Sequence, residues 1–313
     1  MSTQQTLIPT AKKPVNYLAN KDILVQIHLS KNTYCQFTQP EYHQYDFIVD
    51  YLDNSSLEAN LEYACREETI LQAKTNRALR LDAVAGNPKG TTPPESIDKE
   101  DLIIRVMTWA HIPLAPKAPK KVTKKKSAKE IFDFGDEDDS FADLEVDAPV
   151  KLDDLVHVRV NFPPFQHYKF DGAGSLICVG KSHWEGDMVT GEFARDKGQI
   201  TNTLAKMYLK LCERYGTKWN WRGYSYNDEM VSSALLQLTY VGLRFNEAKG
   251  SNPFAYLSAV LGNAFCRVLN TEKRSQSIRD DLMEANGIAP SFTRQFQEEY
   301  AREMKRMEDT AGE

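Results

Sequence analysis

The sequence has no apolar run long enough to cross a bilayer, and it does not open on the basic-then-apolar pattern of an export signal. We therefore expect a soluble intracellular protein with no membrane contact. Its five cysteines, Cys35, Cys65, Cys178, Cys212 and Cys266, include no Cys-x-x-Cys pair, and their number is odd. That excludes a disulfide framework and points to a reducing compartment. Catalytic constellations are missing as well. No Ser-His-Asp arrangement is evident, and Gly172-x-Gly174 and Gly180-Lys181-Ser182 lack the spacing of a phosphate loop. The spacings of His157, His167, Cys178 and His183 fit no zinc arrangement. No enzyme, no metal and no cofactor are expected.

Charge is present but unevenly spread. The 313 residues carry a formal net charge of −5. Residues 199–279 hold 11 Lys/Arg against 5 Asp/Glu, a local excess of basic charge suited to phosphates and equally to a solvated helix face. The acids concentrate elsewhere. Residues 113–129 carry seven lysines among prolines and alanines, and residues 130–147 carry nine acids and no base. Such composition cannot bury enough apolar surface to offset the entropy of ordering, so residues 113–152 read as a disordered charged linker. Within it, Phe132 and Phe134 are apolar residues set in acid, a pattern of short docking peptides.

The remainder divides by pattern. Residues 1–30 read as an arm and a first helix from Asn20, with Ile23, Leu24 and Ile27 on one face. Residues 31–112 read as a helical insertion, with one long helix over 57–84 stopped by Gly86 and a second over 96–111. The aromatic-rich stretch 34–51 holds no basic residue after Gln36 and reads as packing. Residues 153–198 alternate like short strands, first over 156–162. An amphipathic helix is expected over 200–215, ending at Gly216. It is followed by a loop with Trp219 and Trp221 beside Lys218 and Arg222, suited to base stacking or to packing. A last charged helix over 293–308 turns Phe292, Phe296, Tyr300 and Met304 to a packing partner.

Residues 227–274 are the most informative. The periodicity predicts a helix after Ser225, with Asp228 and Glu229 at its positive end and a stop by Gly250. A second helix starts at Asn252-Pro253, with Asn270 placed to close it. Glu229, Ser232, Ser233 and Gln237 form a polar face opposite the first helix's apolar stripe. Residues 244–269 align without a gap to a pattern of Phe-Asp, a basic-Gly turn, Thr-Tyr-Ala-Thr-Trp-Trp and an Arg-containing helix. Phe245-Asn246 fall on Phe-Asp, Tyr256 on the Tyr and Arg267 on the Arg. That is the pattern of the core region of bacterial sigma factors. The chain more closely resembles the late-transcription sigma factors of T-even-type bacteriophages. It shares Gly223-Tyr224, Glu229-Met230, Asn252-Pro253, Ala255-Tyr256, Asn263-Ala264-Phe265 and, near its start, Asn16-Tyr17 and the run Asn20 to Leu24.

The resemblance implies a mainly α fold: a sigma-core helical domain over 199–290 with a small α+β insertion, the charged linker, and a C-terminal helix over 291–313. It implies binding to the host core RNA polymerase through Glu229, Ser232, Ser233 and Gln237. It implies recognition and opening of a short AT-rich promoter, with Tyr256 capturing a base, Asn263 and Arg267 on the duplex, and Lys273 and Arg274 on phosphates. The family also docks on the replication sliding clamp and works with a late co-activator. Here Phe132 and Phe134 are the candidate clamp peptide, since the end of this sequence has no such element. The implied place of action is the cytoplasm of an infected bacterial host. Two departures matter: Ala259-Val260 stand where primary sigma factors carry a tryptophan pair, and Ser232-Ser233 stand where they carry Gln and Glu. The alternatives from the residues alone are a non-sigma binder of single-stranded nucleic acid and a scaffold linking replication clamp and transcription.

Overall fold

The computed structural model describes residues 18–51, 56–116 and 155–311. The protein is mainly helical, with a smaller mixed sheet. It divides into two compact units. Unit 1 takes the chain up to 207 together with 239–256, and unit 2 takes 208–238 and the chain from 257 on. Among the described residues, no helix is long and apolar enough to cross a membrane.

Unit 1 is built on a five-stranded sheet. Helix α1 (Asn20–Asn32) buries Ile23 and Ile27, as its spacing predicts. The strands are β1 (Cys35–Phe37), β2 (Phe47–Val49), β3 (Ile103–Met107), β6 (Phe165–Phe170) and β7 (Leu176–Ser182). Their order is β1-β7-β6-β3-β2, antiparallel except for the β2/β3 pair. Residues 31–112 and 153–198 are therefore not a helical insertion and a separate β segment. They interleave as strands of one sheet.

Two local corrections follow. The stretch expected as a helix over 96–111 is strand β3, which is buried at every position. Ile103, Ile104 and Val106 are β-branched, and Arg105 among them is buried as well, so a strand covered on both faces shows no alternation of inward and outward residues. The stretch 57–84 is two helices, α2 (Leu57–Ala64) and α3 (Glu67–Ala85). Arg66 between them is extended, and the Ser56 side chain caps α2 by accepting from the Ala59 amide. Leu71 and Leu79 are exposed, while Ala64, Ala73 and Ala78 pack on the sheet against Val49, Ile104 and Phe170. Small side chains let the helix approach closely. Gly86 ends α3 as predicted, with φ +73°, a conformation that costs a residue with a Cβ.

Residues 114–116, placed in the linker by composition, form strand β4 (Leu114–Pro116), paired with β5 (Leu155–His157). The expected strand over 156–162 is thus only its first part. Strands β8 (Trp184–Glu185) and β9 (Glu192–Phe193) make a small separate pair.

The next three helices are α4 (Asn202–Gly216), α5 (Asn227–Val241) and α6 (Pro253–Ala285). Helix α5 gives way at Gly242 to a 3-10 turn over Gly242–Arg244, earlier than the expected stop at Gly250. Helix α6 begins where predicted, with the Asn252 side chain accepting from the Ala255 amide at 3.1 Å. It does not close at Asn270 but runs for 33 residues, because nothing from Thr271 to Ala285 breaks a helix. The stop comes at Gly287, with φ +72°. The Asp280 carboxylate then takes the Ser291 amide and hydroxyl, each at 2.8 Å, and fixes the corner into α7 (Phe292–Ala311). Phe292, Phe296, Tyr300 and Met304 of α7, expected to pack, are all exposed.

Candidate nucleic-acid interface

Helix α6 buries Leu257, Val260, Leu261, Ala264, Phe265 and Val268. With that stripe inward, helical geometry sends the residues between its members outward. Asn263, Cys266, Arg267, Asn270, Thr271 and Arg274, spaced by three and four, line an open groove of about 380 Å³ in unit 2. Three of the five residues expected to contact DNA, Asn263, Arg267 and Arg274, are thus brought together on one face. Lys273 is exposed beside them. The groove offers amides, a hydroxyl and guanidinium groups, the donor set that grips phosphates and base edges.

Tyr256 lies in unit 1 and is half-buried. Its hydroxyl donates to the Val241 carbonyl at 2.9 Å, and its ring sits 5.7 Å from that of Phe245. Burial, opposed by Arg244, pushes the hydroxyl up to about 12. The ring therefore closes the turn after α5, and presenting it to a base would break that hydrogen bond.

The loop ahead of α6 carries a feature the sequence did not announce. The Glu247 carboxylate is buried between two cations, Lys31 of α1 at 3.2 Å and Arg105 of β3 in a short ion pair. Lys31 also donates to the Phe245 carbonyl at 2.7 Å. The Arg105 guanidinium donates to His167 Nε2 at 2.9 Å and lies between the rings of Tyr45 and Phe165, 4.0 and 3.8 Å from their centroids. Burial alone would raise the Glu247 carboxyl, but Lys31 and Arg105 outweigh it and bring it to about 2. The residues expected to form an insertion thus hold the turn between the two helices. Only the odd placing of a Glu in an otherwise basic turn hinted at this.

On α5, Glu229 and Ser232 are exposed and Ser233 is half-buried, but Gln237 is 4% exposed. Gln237 belongs to the packed face, which corrects its place in the expected polymerase contact. The outward line in unit 2 continues instead from Glu229 and Ser232 to Leu236, 51% exposed. Continuing the three-four spacing from Glu229 would have found it.

In the loop before α5 the two tryptophans part company. Trp221 is buried, 5.3 Å from Phe265, whereas Trp219 is exposed. His167, considered above as a zinc ligand, is bonded to the Tyr42 carbonyl and to Arg105. Among the described residues, no group of three or more His, Cys, Asp or Glu is arranged to hold a metal. Phe132 and Phe134, the candidate clamp peptide, lie outside the described residues. No protein-family model, curated protein or solved structure matches this chain.

Proposed function

We propose that the protein is a late-type sigma factor of a bacteriophage, one that binds host core RNA polymerase and directs it to short AT-rich promoters. The observation that carries the reading is the open groove on α6, where Asn263, Arg267 and Arg274 meet beside Lys273. A factor that opens DNA without covalent chemistry needs such donors facing solvent on a rigid element. The succession of α5 and α6, joined by residues 242–252 with Asn252-Pro253 starting the second helix, supports a sigma-like core.

In this reading the polymerase contact uses Glu229 and Ser232 with Leu236, and Tyr256 shapes the turn. The sliding clamp and a late co-activator remain partners that the family resemblance proposes, with Phe132 and Phe134 as the clamp peptide. The deciding experiment is run-off transcription by purified core polymerase on phage promoter DNA, with and without the protein. Promoter-dependent transcripts are expected only when it is present. Failure of core polymerase to retain the protein in a pull-down would end the proposal.

A further inference from the structure

Trp219 stands apart in unit 2. Its side chain is 83% exposed, while Trp221, two residues later, is 7% exposed. The difference is built into the turn. The Trp221 and Arg222 amides both donate to the Lys218 carbonyl, at 2.9 and 3.0 Å. The Asn227 side-chain amide donates to the Gly216 and Trp221 carbonyls, at 3.1 and 3.0 Å, and ties the turn to the start of α5. With Trp221 anchored on Phe265, Trp219 is held outward on a backbone that is already ordered. An indole left in water forgoes the transfer free energy of a large aromatic, and on a fixed turn it loses little entropy when it binds.

The surroundings select the partner. Lys218 and Arg222 stand close to Trp219 in sequence and are exposed, the Lys218 ammonium lying 3.8 Å from the centroid of the Tyr215 ring, and residues 214–227 contain no acid. A protein groove that accepts a tryptophan is usually met by further apolar neighbours, and here the exposed neighbours are basic and polar. An exposed flat aromatic in a basic, acid-free turn matches a polyanion that shows the faces of its rings. A duplex hides those faces in its stack, whereas a single strand offers them. We infer that Trp219 stacks on an unpaired base of a single-stranded nucleic acid, with Lys218 and Arg222 on the adjoining phosphates. The inference rests on the promoter-opening reading for the source of the unpaired strand, but the contact needs no polymerase.

The test is a titration of the full-length protein alone with an oligodeoxythymidine of about 20 nucleotides, longer than one such site. Tryptophan emission is followed together with the anisotropy of a labelled strand. Of the four tryptophans, Trp219 is the exposed one, so it dominates a collisional quench. The expected result is quenching by the single strand and weaker binding of a blunt duplex. Trp219→Ala should bind about 5- to 100-fold more weakly, and Trp219→Phe should keep most of the affinity. Circular dichroism and thermal melting of Trp219→Ala should match the parent protein, so lost binding is not lost folding. Absent quenching, or equal affinity of Trp219→Ala, overturns the inference. So does quenching by core polymerase without any by the strand, which would assign the ring to a protein groove. Failed run-off transcription with a positive titration would remove the polymerase reading and leave Trp219 in place, while the opposite pair of results would remove only Trp219.

Discussion

Glu247 shows how one side chain can fix the geometry of a larger element. It is a single buried carboxylate shared by Lys31 and Arg105, brought from more than a hundred residues away in sequence. Removing one member of a buried ion pair costs more than the pair contributes, because the partners stay buried and uncompensated. Glu247→Gln should therefore lose about 3–5 kcal/mol of stability in urea denaturation. A loss under about 1 kcal/mol would show that Lys31 and Arg105 find other partners or water. At the same scale, Arg274 lies in the groove and is exposed. Arg274→Ala should weaken DNA binding across sequences alike and lower the slope of log affinity against log salt by about 1. An unchanged slope would remove Arg274 from the phosphate contacts.

The turn between α4 and α5 separates packing from display within a few residues. Trp221 fills the space beside Phe265 and Tyr215, 5.3 and 6.4 Å between centroids, whereas Trp219 fills none. Trp221→Ala should cost about 3–5 kcal/mol through the cavity it leaves, and Trp219→Ala should stay within about 0.5 kcal/mol. Paired thermal melts would test this, and equal costs would contradict the burial pattern. Helix length belongs to this scale too. The start of α6 was legible because Asn252-Pro253 is a local cap. Its end was misplaced because Asn270 permits a stop without requiring one, and unbroken helix formers carry the chain on to Gly287.

Across the molecule, all six histidines fall between residues 28 and 183, within unit 1. Four are held neutral. Burial, with the nearby Arg105 charge, brings His28 to about 3 and His167 well below the usual imidazole range. Burial brings His111 to about 4, and burial with the neighbouring His111 brings His183 to about 3. Above about pH 6.5 both folded and unfolded chains leave these rings neutral, so they add no pH dependence. As pH falls below that, the unfolded chain takes up protons that the folded chain refuses, and stability is lost down to the folded values, about 3 for His28 and His183 and about 4 for His111, with His167 also well below the usual range. Four such groups give at most about 5 kcal/mol per pH unit, comparable to the whole stability of many domains. Unit 1 should unfold steeply between about pH 6 and 4, with the signals of Trp109 and Trp184 changing before that of Trp221 in unit 2. A shallow transition, or a simultaneous one, would mean that these rings protonate in place or that the units unfold together.

The sequence by itself determined what depends on near neighbours. It placed α1, α4, the starts of α5 and α6, the stop at Gly86, and the outward positions of Asn263 and Arg274. Caps, glycines and a three-four apolar spacing act within a turn or two of chain. Only the tertiary structure decided that Ile103–Met107 is a strand, that residues 31–112 and 153–198 share one sheet, and that Gln237 and Tyr256 turn inward while Trp219 does not. Those outcomes are set by partners far along the chain: a strand needs its neighbours to satisfy its backbone, and a side chain is buried only if something distant covers it.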